Sequence, residues 1–243
     1  MSRTIYLLSD AHLGASQASR EQEKLARLGM LFRKIGDDRA SLIILGDLFD
    51  FWFEYRTVVQ KEHLPVIRML AELRSRGVDV TYLVGNHDFW LGDFLTRELG
   101  ITVVRDSLIL DIDRNRIFLA HGDGLGPGDL GYKFLKLVLR SPVSIWLYRL
   151  LHPDLAIPLA KWCSWLSRNH WTKEKYLASD PLWLAAREKF GQGYNVVVFG
   201  HVHIPALRRD GGNVYLNLGD FISHFSYGLY KDGLLRLERL NVT

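Results

Sequence analysis

Five short segments of this 243-residue chain carry side chains that hold metals and move protons. They are Asp10-Ala11-His12, Gly46-Asp47, Gly85-Asn86-His87-Asp88, His121-Gly122-Asp123 and Gly200-His201-Val202-His203. Taken singly, an Asp or Asn behind a strand is an ordinary turn former, and a lone histidine is commonly structural. Five such strand ends are another matter, because the carboxyl ends of strands in an open α/β sheet converge on one crevice. Four histidines, two aspartates and an asparagine (His12, His121, His201, His203, Asp10, Asp47, Asn86) gathered there would form a metal site. Oxygen and imidazole donors suit manganese, iron or zinc, and no nearby cysteine offers a thiolate. That many donors exceed one tetrahedral shell, so two ions sharing a carboxylate are expected. Asp47, the sole carboxylate at its strand end, is the natural bridge. Two ions about 3.5–4 Å apart clamp the attacking and leaving oxygens of phosphoryl transfer.

The elements that must position these residues are legible as apolar runs and helical periodicity. Thr4–Ser9, Leu42–Leu45, Val78–Val84, Arg116–Ala120 and Asn195–Phe199 read as buried strands, each ending at one of the five segments. Helices are expected over Arg20–Ile35 and Glu62–Arg76, the second stopped by Gly77. Strand and helix therefore alternate up to the third strand, which argues for βαβ units. A short helix near Asp93–Leu99 precedes strands at Ile101–Val104 and Leu108–Ile112, with a turn at Asp113-Arg114-Asn115. From Leu130 to about Phe190 the pattern is helical and broken at Pro142, Pro153, Pro158 and Pro181, and the tail reads as hairpins. The expectation is one α/β domain over 1–243 with a helical insertion at about 124–191.

Composition narrows the class. Apolar residues make up 48% and charged residues 24%, the balance of a globular protein. A single cysteine, Cys163, excludes an internal disulfide, fits a reducing compartment and reads as a small packed residue. No run approaches the roughly 18 apolar residues of a membrane span, and the N-terminus lacks the apolar core of a signal peptide. The formal charge of +4 is unevenly spread: 130–191 holds ten Lys or Arg against four Asp or Glu. That segment could meet an anionic partner, or it could be a solvated helical face. Its basic residues alternate with bulky apolar ones instead of forming a charged stripe, which argues against nucleic acid.

Together the five segments, in this order, resemble the calcineurin-like metallophosphoesterase family, and they span nearly the whole chain. The resemblance implies a four-layer α-β-β-α sandwich. It implies one ion on Asp10, His12, Asp47 and His203 and another on Asp47, Asn86, His121 and His201. It also implies that His87 assists the leaving group or the transition-state oxygen, with Asp88 orienting it.

A finer resemblance, to the UDP-2,3-diacylglucosamine pyrophosphatases of lipid A synthesis, rests on Asp47-Leu48-Phe49-Asp50-Phe51-Trp52, His121-Gly122-Asp123, the helical insertion and Asp129-Leu130-Gly131-Tyr132. It implies cleavage of a nucleotide-linked acylated sugar to UMP and a sugar 1-phosphate, with manganese as the expected metal. It also implies work at the inner face of the cytoplasmic membrane as a peripheral protein. The insertion would house the acyl chains, or its apolar residues form an ordinary helical core. Asn86, His87, His201, Asp129, Tyr132, Ser167, Asn169 and Lys173 are the expected substrate contacts, with Asp129 also readable as a helix cap. The sequence departs from that subfamily at His87, where its best-known members carry arginine. The alternative is a phosphatase or phosphodiesterase for a soluble nucleotide or other phosphoester. A binding scaffold derived from the fold would have lost ligands, and every ligand position is filled.

Overall fold

All four residues of the first strand, β1 (Ile5–Leu8), are buried, Ile5 and Leu7 toward one layer and Tyr6 and Leu8 toward the other. A continuous apolar run is what a strand covered on both faces requires. The computed structural model describes residues 4–125, 136–169 and 180–240, with side chains in the middle stretch described as far as 164. Parallel to β1 run β2 (Ser41–Leu45), β3 (Val80–Leu83) and β4 (Thr102–Val104). The strands β5 (Ser107–Ile112), β6 (Asn115–Ala120), β7 (Val196–Phe199), β8 (Ala206–Asp210) and β9 (Asn213–Asn217) form a second sheet, in the order β5-β6-β7-β9-β8. A hairpin of β10 (Ser226–Lys231) and β11 (Leu234–Arg239) returns to the first sheet, antiparallel on β1. The first sheet is thus ordered β11-β10-β1-β2-β3-β4.

The sheets pack face to face. Ile5, Leu7, Ile43, Leu45 and Leu83 of the first meet Ile117, Leu119, Val196, Val198 and Leu216 of the second. The outer face of the first sheet is covered by α1 (Ala18–Asp37) and α2 (Leu64–Ser75), through Leu28, Phe32, Ile35, Val66 and Leu70. Leu182, Ala185 and Ala186 of α6 (Pro181–Gly191) cover the second. This is the four-layer α-β-β-α sandwich that the sequence resemblance implied. A short α3 (Phe94–Leu99) leads into β4.

Between β6 and β7 lie α4 (Pro142–Arg149), α5 (Pro153–Asn169) and α6. Pro142 and Pro181 open their helices, where a missing N–H costs nothing, behind side-chain caps from Ser141 and Asp180. Pro158 does not break the chain as expected but lies inside α5. It forfeits only the bond to the Asp154 carbonyl, in a first turn whose side chain is in water. α6, the last helix of the stretch expected as an insertion, packs on the second sheet as a layer of the sandwich. Cys163, expected to be packed, is exposed. No helix among the described residues is long and apolar enough to cross a membrane.

Candidate metal centre

Asp10 and His12 follow β1, Asp47 follows β2 and Asn86–Asp88 follow β3, all from the first sheet. His121 follows β6, and His201 and His203 follow β7, from the second. The centre therefore sits where the carboxyl edges of both sheets meet. Asp10, His12, Asp47, His201 and His203 all adopt left-handed backbone, with φ of 54°, 42°, 53°, 72° and 57°. Such conformations are uncommon outside glycine, cost about 1–3 kcal/mol and cluster at functional sites. The glycines of the motifs provide the room. A Cβ on Gly85 would lie 2.0 Å from Asp47 Oδ1, and one on Gly200 2.6 Å from Asp10 Oδ2.

The donor atoms converge at metal-like spacing. His203 Nε2 lies 3.3 Å from Asp10 Oδ1 and 3.1 Å from His12 Nε2, which is itself 3.7 Å from both Asp10 Oδ1 and Asp47 Oδ2. On the other side, His121 Nε2 is 3.2 Å from Asp47 Oδ2 and 3.1 Å from Asn86 Oδ1, with the His201 ring 5.1 Å from the His121 ring. Donors about 2.0–2.2 Å from one ion stand about 3–3.6 Å apart in tetrahedral or octahedral geometry. Asp10 Oδ1 is buried with no hydrogen-bond partner, as expected of an oxygen reserved for a cation. The residues fit two ions: donor atoms of Asp10, His12 and His203 lie within 4.8 Å of one another on one side and those of Asp47, His121 and His201 on the other, with Asp47 also 3.7 Å from His12. His87 forms a third such group with His12 and Asp47.

The surrounding atoms fix the ligands. His121 Nδ1 faces the Leu45 carbonyl at 2.7 Å, so it carries the proton and leaves Nε2 as the lone pair. The His201 amide donates to Asp10 Oδ2 at 2.9 Å, and the His87 amide to Asp47 Oδ1 at 2.9 Å. Lys24 of α1, 0% exposed, donates to the carbonyls of Ala11 and His12 at 3.0 and 2.7 Å and pairs with Glu21. Glu21 in turn accepts from the amides of Gly14 and Ser16, so α1 grips the loop that presents Asp10 and His12.

Asp88 does not orient His87, as the resemblance implied. Its carboxylate accepts from Gly85 N at 2.7 Å, Leu48 N at 3.1 Å and the Tyr82 hydroxyl, tying the β2 and β3 loops together. The ring of His87 is instead held by the Asp50 carbonyl, 2.9 Å from Nδ1, and by Ser164 Oγ of α5 at 3.0 Å. Asp50 Oδ1 also lies 3.4 Å from His12 Nδ1.

Burial opposes ionisation of Asp47, but the imidazoles of His121 and His87 outweigh it and hold the carboxyl well below its usual range. Burial likewise opposes charge on His12, yet Asp10, Asp50 and Asp47 raise it to about 9. Burial and His121 push His201 down to about 4, and burial lowers His87 against the pull of Asp47. Burial and the charge of Asp47 raise Asp88 to about 7. A cluster that keeps Asp10 and Asp47 ionised, protonates His12 and His121 and leaves His201 neutral is one a cation can enter by displacing protons.

Sequence reasoning named every donor in this cluster but gave no role to Lys24, Asp50 or Ser164. Asp50 had a visible signal, its place in the Asp47–Trp52 block. Lys24 and Ser164 had none, since each looks like a polar residue on an amphipathic helix. Of the expected substrate contacts, Asn86, His87 and His201 lie in the cluster. Asp129, Tyr132 and Lys173 lie outside the described residues, as do the side chains of Ser167 and Asn169. Two histidines outside the cluster have packing roles: His63 is buried and stacked on Trp52, and His224 pairs with Asp220.

Over the cluster lies an apolar roof. Tyr148 of α4 packs on Phe51, Phe53 and Trp90 of the site loops, and Arg140 stacks on Phe89. Outward, Leu137, Trp146, Leu155 and Trp162 are 73%, 58%, 71% and 57% exposed, and α4 buries none of its residues. These large apolar side chains are therefore not packed into a core of the helices' own.

Comparison with known proteins agrees with this geometry. The model of the calcineurin-like phosphoesterase family matches residues 3–205. A UDP-2,3-diacylglucosamine hydrolase of Porphyromonas gingivalis is 32% identical, covering 99% of this chain and 98% of that protein. One from Neisseria meningitidis serogroup B is 31% identical over 94% of each. Among solved structures, an archaeal phosphodiesterase aligns with a TM-score of 0.51 at 14% identity, covering 98% of this chain and 99% of its own. The phosphoesterase Yfce from E. coli aligns at 0.50 and 20% identity, over 98% and 93%. These two likenesses speak for the fold alone.

Proposed function

The chain belongs to the calcineurin-like phosphoesterase family, and from that premise we propose that it hydrolyses the pyrophosphate of UDP-2,3-diacylglucosamine, giving UMP and 2,3-diacylglucosamine 1-phosphate. It is a metal-dependent hydrolase. The observation that carries the substrate reading is the contact of Ser164, on the apolar α5, with the ring of His87 in the metal cluster. It sets an exposed apolar surface directly against phosphoryl-transfer chemistry, which suits a substrate with acyl chains at one end and phosphates at the other. The full-length likeness to two UDP-2,3-diacylglucosamine hydrolases supports the same substrate.

Two divalent ions held by Asp10, His12, Asp47, His203 and by Asp47, Asn86, His121, His201 would supply Lewis acidity and an activated water. Manganese suits this mixture of carboxylate, amide and imidazole donors. His87, its Nδ1–H directed at the Asp50 carbonyl, would stabilise charge on the leaving phosphate through Nε2–H when the ring is doubly protonated, a form that burial opposes and the charge of Asp47 favours. Asp47, ionised and shared, keeps the two halves in register. The roof (Trp146, Leu155, Trp162, with Arg149 and Lys161 beside them) would receive the acyl chains and rest on the anionic inner face of the cytoplasmic membrane.

The test compares UDP-2,3-diacylglucosamine with its deacylated analogue, reading UMP release. The acylated substrate should be turned over with a kcat/KM higher by at least about tenfold, the worth of a few buried methylenes. Equal rates would move the function to a soluble nucleotide or other phosphoester.

A further inference from the structure

β9 runs parallel to β7, with Asn217 beside Phe199, so its carboxyl end reaches the same edge as the ligand-bearing ends of β6 and β7. It brings no ligand of its own. The residue that ends it, Asn217, is nevertheless only 1% exposed. Asparagine after a strand is an ordinary turn former when it faces water, but burying its amide costs free energy unless both ends are paired.

Both ends are paired, and the pairing is directional. Nδ2 donates to the Gly200 carbonyl at 2.9 Å, and Oδ1 accepts from the Gly219 amide at 3.0 Å. A carbonyl cannot donate and a backbone N–H cannot accept, so one orientation of the side chain satisfies both partners. Gly200 is the residue from which the turn of His201 and His203 departs. Its N–H donates to the His121 carbonyl at 2.9 Å, and its own carbonyl also accepts from Val202 N at 2.9 Å. On another side it abuts the β1 loop, where an added Cβ would lie 2.6 Å from Asp10 Oδ2 and 2.7 Å from Ser9 Oγ. The β9 loop touches that β1 loop as well, Phe221 N donating to the Asp10 carbonyl at 3.0 Å. His201 and His203 then follow in left-handed backbone, which persists only where the surroundings over-determine it.

We propose that Asn217 is a positioning residue of the metal centre. By fixing the Gly200 carbonyl it sets the turn that sends His201 to one ion and His203 to the other, and with it the spacing of the pair. It acts through the backbone and touches no donor atom. The inference rests on the two-ion reading of the centre and not on the choice of substrate.

Two variants separate its bonds. Asn217→Asp keeps the acceptor for Gly219 N and replaces the donor facing Gly200 with a second acceptor. Asn217→Leu removes both bonds at similar volume, and it keeps the test available should a buried carboxylate prevent folding. Ser226→Ala is the comparison for simple loosening of the loop: Ser226 is also 1% exposed, and its hydroxyl donates to the Leu218 carbonyl. Each full-length protein is stripped with chelator, titrated with Mn(II) by calorimetry and then examined by electron paramagnetic resonance, in which two neighbouring Mn(II) ions give an exchange-coupled signal. Both Asn217 variants should bind the two ions about 10–100-fold more weakly, the cost of losing the support behind a ligand, and should alter the coupled signal. Ser226→Ala should melt earlier with wild-type affinities and signal. Wild-type affinities and signal in a folded Asn217 variant would overturn the proposal, as would equal metal losses in Ser226→Ala. A wild type that binds fewer than two ions would overturn the two-ion reading itself, which keeps that failure distinct from this one.

Discussion

Lys24 shows how far the centre depends on residues that touch no phosphate. Its ammonium is wholly buried and spends its protons on the carbonyls of Ala11 and His12 and on Glu21. Burial lowers its pKa, and the hydrogen bond and charge of Glu21 offset part of that fall. Breaking a buried pair leaves the partners uncompensated, at about 3 kcal/mol or more. Lys24→Met should therefore lower the melting temperature and loosen the ion on Asp10, His12 and His203, read as weaker metal affinity. Unchanged affinity would show that the loop holds its shape without α1. None of this is visible in the sequence, where Lys24 is one more cation in the helical stretch Arg20–Ile35. The ligands were visible because each interrupts an apolar run; Lys24, Asp50 and Ser164 act through contacts between distant elements, which spacing along one segment does not report. The left-handed turns at Asp10, His12, Asp47, His201 and His203 were equally hidden, since only their neighbouring glycines hinted at crowding.

At the scale of elements, strands proved easy to place because burial on both faces leaves unbroken apolar runs. The prolines of the long helical stretch were harder. Pro142 and Pro181 begin helices and Pro158 sits within one, and which role a proline plays depends on whether its turn faces water. The junction of the β2 loop with α2 carries a pH-sensitive element. His63 is buried, with Nε2 3.1 Å from the Phe51 carbonyl and its ring stacked on Trp52. Burial lowers its pKa below the ordinary value, with the Phe51 bond opposing. The unfolded chain thus binds a proton more readily than the native one, so this contribution is complete above about pH 6.5 and is lost as pH falls through the native pKa. Wild type should lose more melting temperature than His63→Gln between about pH 8 and about pH 5.5; equal losses would show that His63 does not set this pH dependence. The roof helices make a second prediction. Trp146→Glu combined with Trp162→Glu should release the protein from vesicles containing anionic lipid and lower turnover of the acylated substrate, with the fold intact. Binding to vesicles at wild-type strength would mean the roof is not the membrane face.

For the whole molecule, the arrangement of two sheets is what makes the site possible. One sheet contributes Asp10, His12, Asp47 and Asn86, the other His121, His201 and His203, and the core between Leu7, Leu45, Leu119 and Val198 holds the two edges in register. Alternating strand and helix announced the first sheet from sequence alone. That the remaining strands form a second sheet facing it came from the family resemblance, because pairing partners are long-range and leave no local mark. The roof is the least sequence-determined part, its apolar residues reading equally as core or surface until their exposure is known. On the proposed function, two ions share Asp47 and hydrolysis needs both. Metal content and UMP release, measured together on chelator-stripped, reconstituted and Asp47→Asn protein, decide between one shared centre and none. About two ions per chain should bind the reconstituted wild type, with turnover absent after stripping and both ions and turnover lost in Asp47→Asn. Full turnover in stripped protein, or two ions retained by Asp47→Asn, would contradict it.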